Sequence, residues 1–106
     1  MSTISTHVLD TGLGRPASGV PVRLSREGLE IGAGTTNEDG RATDLTSGEL
    51  QPGTYQLWFD VAAYAASSGQ DIFFPEVTVT FTITGEQHYH VPLLLSPFAF
   101  STYRGS

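Results

Sequence analysis

The sequence predicts an all-β fold, a sandwich of two sheets built from about eight short strands, with one short helix. Three observations carry this. Apolar and polar residues alternate with period 2 through most of the chain, which puts one face of each segment in a core. Turn-forming Gly, Pro, Asn and Asp recur between these segments at intervals too short for βαβ units. Only one segment, Val61 to Ser67, has the Ala-rich composition of a helix.

Taken in order, Ile4 to Asp10 reads as the first strand, and Thr11 to Gly19 as a Gly/Pro-rich connection. Val20 to Ser25 alternates cleanly, and Ile31 to Thr36 is a third short strand. Asn37-Glu38-Asp39-Gly40 is a turn, because Asp-Gly supplies the left-handed conformation such turns require. A fourth short strand starts at Arg41, and a strong one runs from Thr54 to Asp60. The helix ends at Ser68-Gly69. Val77 to Ile83 is rich in β-branched and aromatic residues. The chain turns at Gly85-Glu86, extends from His88 to Leu95, breaks at Ser96-Pro97 and can extend again from Phe98 to Tyr103. Phe73-Phe74-Pro75 makes the loop before Val77 unusually apolar, which predicts packing against the sandwich edge.

The chain's 106 residues suit a single domain, 1–106, with one core. Its formal charge of −6 argues against nucleic acid, whose binding needs a basic surface to displace counterions. No basic amphipathic or long apolar segment points to a membrane. The five basic residues, Arg15, Arg23, Arg26, Arg41 and Arg104, include no lysine, so Schiff-base chemistry is excluded. With no cysteine, thiol nucleophiles, disulfides and cysteine-held zinc are excluded too. The lack of disulfides, and a start with no basic segment leading an apolar run, set the expectation of a cytoplasmic protein.

The residues able to move protons near neutral pH are three histidines, His7, His88 and His90. His88 and His90 leave the same face of one strand. A His-x-His pair, with His7 as a third ligand, is one way to hold a metal. Hydrogen-bonded strand histidines with no such role, or general acid–base catalysis beside an arginine that binds a developing anion, fit the same residues. No Gly-x-Ser-x-Gly elbow, Ser-His-Asp set or phosphate-cradling glycine loop is present. Pro92, inside the strand His88 to Leu95, cannot donate to a ladder; it predicts an edge strand or a bulge, covered by another subunit.

Several motifs resemble those of the transthyretin-like 5-hydroxyisourate hydrolases: Ser5-Thr6-His7-Val8-Leu9-Asp10, Thr36-Asn37-Glu38-Asp39-Gly40-Arg41, Tyr89-His90-Val91-Pro92-Leu93-Leu94-Leu95-Ser96-Pro97 and the terminal Ser101-Thr102-Tyr103-Arg104-Gly105-Ser106. Gly53-Thr54-Tyr55 and Phe73-Phe74-Pro75-Glu76 are similar as well. The resemblance runs end to end, and the closing Tyr-Arg-Gly-Ser is its most specific part. It implies an eight-stranded sandwich and a homotetramer with active sites at the ends of a central channel. It implies hydrolysis of the small molecule 5-hydroxyisourate, without a cofactor or metal. The family's catalytic positions map onto His7, Arg41, His90 and Ser106, and its substrate-binding positions onto Tyr103, Arg104 and Gly105. The mechanism it suggests has one histidine removing a proton from water and the other orienting it or protonating the leaving nitrogen, with Arg41 holding the oxyanion. Which histidine is base stays open. His88, beside a turn, reads as a strand-end residue near the surface. The competing reading is a non-catalytic carrier of a small ligand.

Overall fold

The structure, a computed structural model, describes residues 2–46, 49–85 and 87–105. Ser106 and Glu86, both named above, lie outside the described residues. The elements are β1 (Thr3–Asp10), β2 (Arg15–Pro16), β3 (Pro21–Arg26), β4 (Leu29–Thr35), β5 (Arg41–Ala42), β6 (Gly53–Phe59), α1 (Val61–Ser68), β7 (Val77–Ile83), β8 (His88–Ser96) and β9 (Ala99–Thr102). One sheet has the order β4-β3-β6-β7; in the other, β8 lies between β1 and β9, and the far side of β1 takes both β2 and β5.

The period-2 alternation becomes burial. Ile4, Val8, Tyr89, Val91, Leu93 and Leu95 point inward from one sheet, Val22, Leu24, Tyr55, Leu57 and Phe59 from the other, and all are buried. Burying a side chain of this kind contributes roughly 1.5–3 kcal/mol. The two inward polar residues of β1 are satisfied locally. Thr6 Oγ1 donates to the Val91 carbonyl at 2.6 Å, and Asp10 accepts from Tyr64 Oη at 2.6 Å, Leu13 N at 2.8 Å and Gln70 Nε2 at 2.9 Å. Helix α1 starts where Asp60 accepts from Ala63 N at 3.0 Å, and the Gly69 N–H closes it on the Ala65 carbonyl.

Two expectations need correction. The connection Thr11 to Gly19 contains the two-residue strand β2, which pairs Leu9 with Pro16 and Asp10 with Arg15. More consequentially, β8 is an interior strand despite Pro92. It runs parallel to β1 over eight paired positions, Thr3 opposite His88 through Asp10 opposite Leu95, and antiparallel to β9. The proline is absorbed because its nitrogen faces the chain's last strand, not β1. On that side the His90 carbonyl accepts from Gly105 N at 2.8 Å, and the Pro92 carbonyl accepts from Thr102 Oγ1 at 2.7 Å. Thr102 opposite Leu93 and Gly105 opposite His90 share one register, so Tyr103 comes opposite Pro92. Pairing lapses at Tyr103 and Arg104, where the ladder would need the donor that proline lacks. The edge strands are therefore β4 and β7 in one sheet, and β9 opposite the short β2 and β5 in the other.

The apolar loop before β7 packs as expected in part. Phe74 is half-buried and meets Phe100 of β9 edge-on at 5.1 Å, while Phe73 stays 70% exposed.

Candidate active site on the outer face of one sheet

Alternation along β1 places Thr3, Ser5 and His7 on the sheet's outer face, opposite to Ile4, Thr6 and Val8. Pairing extends that face sideways. His7 lies directly opposite Arg41 of β5 on one side and Pro92 of β8 on the other; Ser5 lies opposite His90. Directly opposed residues have Cβ atoms about 5 Å apart, and diagonal neighbours such as His7 and His90 about 7–8 Å. Segments far apart in the chain thus bring His7, Arg41 and His90 within reach of one small molecule.

The turn before β5 positions Arg41. Asn37 Oδ1 accepts from Asp39 N at 2.9 Å and from Arg41 N at 3.0 Å. Gly40 has φ 76°. A side chain there would also collide with the Val8 carbonyl, so glycine is required twice over. Val8 N donates to the Gly40 carbonyl at 2.7 Å, which fastens the turn to β1. The same turn delivers the Asp39 carbonyl to His7 Nε2 at 2.8 Å. A carbonyl only accepts, so that nitrogen carries the proton, and neutral His7 has its lone pair on Nδ1.

His90 is held through its other nitrogen. Its Nδ1 is 2.8 Å from Ser5 Oγ, and the same buried hydroxyl is 2.7 Å from His88 Nε2. His88 Nδ1 is in turn 2.6 Å from Thr3 Oγ1. This arrangement leaves His90 Nε2 as the ring nitrogen able to serve the site. The half-buried ring's pKa is lowered from its ordinary value, chiefly by burial, then by the charge of Arg41, then by His7 and His88. Neutral His90 is therefore the form favoured near neutral pH, as a proton acceptor requires.

The tail closes one side. A side chain at Gly105 would meet the His90 ring at 2.6 Å and Pro92 Cγ at 3.3 Å, so a glycine lets the tail lie against the imidazole. Tyr103, 58% exposed, takes the outer face beside Pro92. Arg104 is not brought to this face: its guanidinium stacks over the inward Tyr89 ring at 5.0 Å. It lines, with His90, Tyr103 and the β7 residues Val79 and Phe81, a cavity of about 330 Å³ between the two sheet edges. A separate cavity of about 300 Å³ is lined by Arg41 with Asn37 and Asp44. His90, Tyr103 and Arg104 thus border one hollow and Arg41 another, while His7 and Gly105 line neither of the two.

Of the residues predicted from sequence, His7, Arg41, His90, Tyr103 and Gly105 come together on this face. Ser5 was not singled out as a candidate, though its place two residues before His7 put it on the same face. His88, expected as a surface residue, is exposed but tied to His90 through Ser5. Among the described residues no group of three His, Asp or Glu side chains is arranged to hold a metal ion. His88 and His90 spend three ring nitrogens on hydroxyl groups.

The sequence pattern of the HIUase/Transthyretin family matches residues 4–105. A 5-hydroxyisourate hydrolase of Mus musculus is 50% identical, with 99% of this chain and 96% of the relative covered. The structure of Klebsiella pneumoniae 5-hydroxyisourate hydrolase superimposes with a TM-score of 0.93 at 42% identity, covering 100% of both chains. Sea bream transthyretin, solved in complex with thyroxine, reaches a TM-score of 0.90 at 30% identity, covering 97% of this chain and 94% of that one.

Proposed function

This chain belongs to the HIUase/Transthyretin family, and from that premise we propose that it hydrolyses 5-hydroxyisourate to 2-oxo-4-hydroxy-4-carboxy-5-ureidoimidazoline, a step of urate degradation. The observation that carries the reading is the convergence of His7, Arg41 and His90 on one outer face, through pairing of β1 with β5 and β8. A carrier of an apolar ligand gains nothing from two histidines and an arginine there, and identity is higher to the hydrolases than to the thyroxine-bound transthyretin.

In the proposed reaction His90 Nε2 takes a proton from water as the oxygen adds to the ring carbonyl. Arg41, always charged and planar, stabilises the oxyanion. His7, its Nε2 committed to the Asp39 carbonyl, presents Nδ1 to the substrate or the attacking water. The C–N bond then breaks, the nitrogen takes the proton from His90 Nε2, and the new carboxylic acid ionises. Tyr103 and Gly105 wall the pocket.

The assembly we propose is a homotetramer in which a second copy roofs this face. Two features support it: the candidate residues face outward from the single chain, and Phe73, Phe98, Phe100 and Tyr103 are exposed near the β9 edge. Light scattering on the purified chain tests the assembly.

The activity is tested by generating the unstable substrate with urate oxidase and following its absorbance. Addition of this chain should speed the decay, and a chain lacking residues 103–106 should not. Decay at the uncatalysed rate with the full chain present would overturn the reading.

A further inference from the structure

The outer face carries a hydrogen-bonded chain that the hydrolysis scheme above leaves unused. It runs His90 Nδ1, Ser5 Oγ, His88 Nε2 and then His88 Nδ1, Thr3 Oγ1, with contacts of 2.8, 2.7 and 2.6 Å. It starts on the half-buried His90, passes through a buried serine and ends on exposed His88 and Thr3. A hydroxyl has one proton, so Ser5 donates to one imidazole and accepts from the other. The two rings therefore cannot choose their tautomers independently. In one arrangement His90 Nδ1–H donates to Ser5, Ser5 donates to His88 Nε2, and His88 Nδ1–H donates to Thr3. In the other every bond is reversed. The first leaves His90 Nε2 with a lone pair; the second leaves it with a proton.

We propose that Ser5 and His88 are positioning residues that switch His90 between the tautomer accepting a proton at Nε2 and the tautomer donating one there. This rests on the reading of His90 as the proton-transfer residue of the hydrolysis. As water adds to the carbonyl, its proton arrives on Nε2. The Nδ1 proton passes to Ser5, the Ser5 proton to His88 Nε2, the His88 Nδ1 proton to Thr3, and the Thr3 hydroxyl proton to solvent. When the C–N bond breaks, the electron pair on nitrogen takes the Nε2 proton, and the chain runs backward, drawing one proton from solvent. The round trip is balanced: one water proton ends on the nitrogen, the other on the carboxylic acid, which ionises.

The reason for such a switch lies in the charges around His90. Arg41 from β5, His7 from β1 and His88 from its own strand all face it; Arg104 of the tail is turned over Tyr89. An imidazolium beside Arg41 is penalised, and a tautomer exchange performs base and acid work without forming one.

The test compares steady-state kinetics of the wild type with Ser5→Ala, His88→Gln and His88→Ala, each checked for folding by thermal melting. Removal of a partner that orients a metal-bound histidine typically costs roughly 10- to 100-fold, and loss of the group orienting a catalytic histidine costs up to about 10⁴-fold, so a loss of at least roughly 10-fold is expected here. Ser5→Ala and His88→Gln should lose kcat to that extent with KM little changed. The amide of the glutamine keeps a bond to Ser5 and passes no proton. His88→Ala should be equally slow and recover when imidazole is added to fill the vacated space, whereas His88→Gln should not recover. Unchanged kcat in Ser5→Ala and His88→Gln, beside an active wild type, overturns the switch alone. So does a slow His88→Ala that imidazole fails to restore, or a Ser5→Ala whose only change is in KM. An inactive wild type overturns the functional reading, and the switch with it.

Discussion

Gly105 donates its amide to the His90 carbonyl at 2.8 Å, and its α-carbon sits where any side chain would strike the His90 ring. One residue thus both anchors the tail and sets how closely it approaches the imidazole. Gly105→Ala should push the tail or the ring aside. A displacement near 1 Å at a reacting group can cost on the order of 100-fold in rate. We expect kcat/KM to fall at least roughly 10-fold with little change in melting temperature, since Gly105 belongs to an edge and not to the core. A variant with full turnover would show that the tail does not shape the site.

The pH profile should carry the signature of a depressed histidine. His90 is held below its ordinary 6.5 by burial, Arg41, His7 and His88, so the acid limb of kcat/KM should have its midpoint below pH 6.5. Replacing Arg41 with Gln removes a positive neighbour, and the limb should move to higher pH as the rate drops. For stability the sign follows from proton counting. Below pH 6.5 the unfolded chain binds the proton more readily than folded His90, so stability falls as pH decreases through that region. Urea titrations at a series of pH values measure this slope, and an acid limb midpoint above pH 6.5 would contradict the assignment of His90 as base.

Asn37 organises the turn that aims both Arg41 and the Asp39 carbonyl. Asn37→Ala removes two accepted hydrogen bonds, costing about 1–3 kcal/mol of stability. It should also loosen His7, so a drop in kcat beyond what the melting curve explains is expected. Rescue by Asn37→Asp, which retains the acceptor oxygen, separates the turn's role from a general loss of packing.

Asp10 tests the opposite end of the sheet. Burial pushes its carboxyl up, but hydrogen bonds from Tyr64, Leu13, Gln70 and Gly12 outweigh this and leave its pKa lowered. Its stabilisation is therefore present above the ordinary value of 3.8 and lost as pH falls through the folded value. Tyr64 is pushed up to about 12 by burial and by Asp10, so its contribution holds below pH 10 and is lost as pH rises through about 12. Asp10→Ala leaves buried donors unpaired and should cost about 2–4 kcal/mol, read from denaturant unfolding at neutral pH. Per folded molecule its kcat should match the wild type.

Much of this architecture was legible along the chain, because period-2 alternation decides locally which face each side chain takes. That made Ile4, Val8, Leu24 and Leu57 core residues, and it put Ser5 with His7 and His88 with His90. The Asn37–Gly40 turn was legible because it answers a local steric demand, and the tail only as a resemblance, since the His90 ring that demands a glycine at 105 is brought there by the fold. What alternation cannot say is which strands become neighbours. The parallel pairing of β1 with β8 joins residues some 85 positions apart, as in the Ser5–His90 contact, and only burial of both inward faces in one core selects it. That pairing made β8 an interior strand in spite of Pro92, because the proline nitrogen faces the tail. It also turned Ser5 and His88 from bystanders into partners of His90, and the tail's return past Tyr103 set Arg104 over Tyr89. By itself the sequence determined the strands, their faces and the residues able to do chemistry; the tertiary structure decided which of them meet, because strand register is set by long-range packing and not by local pattern.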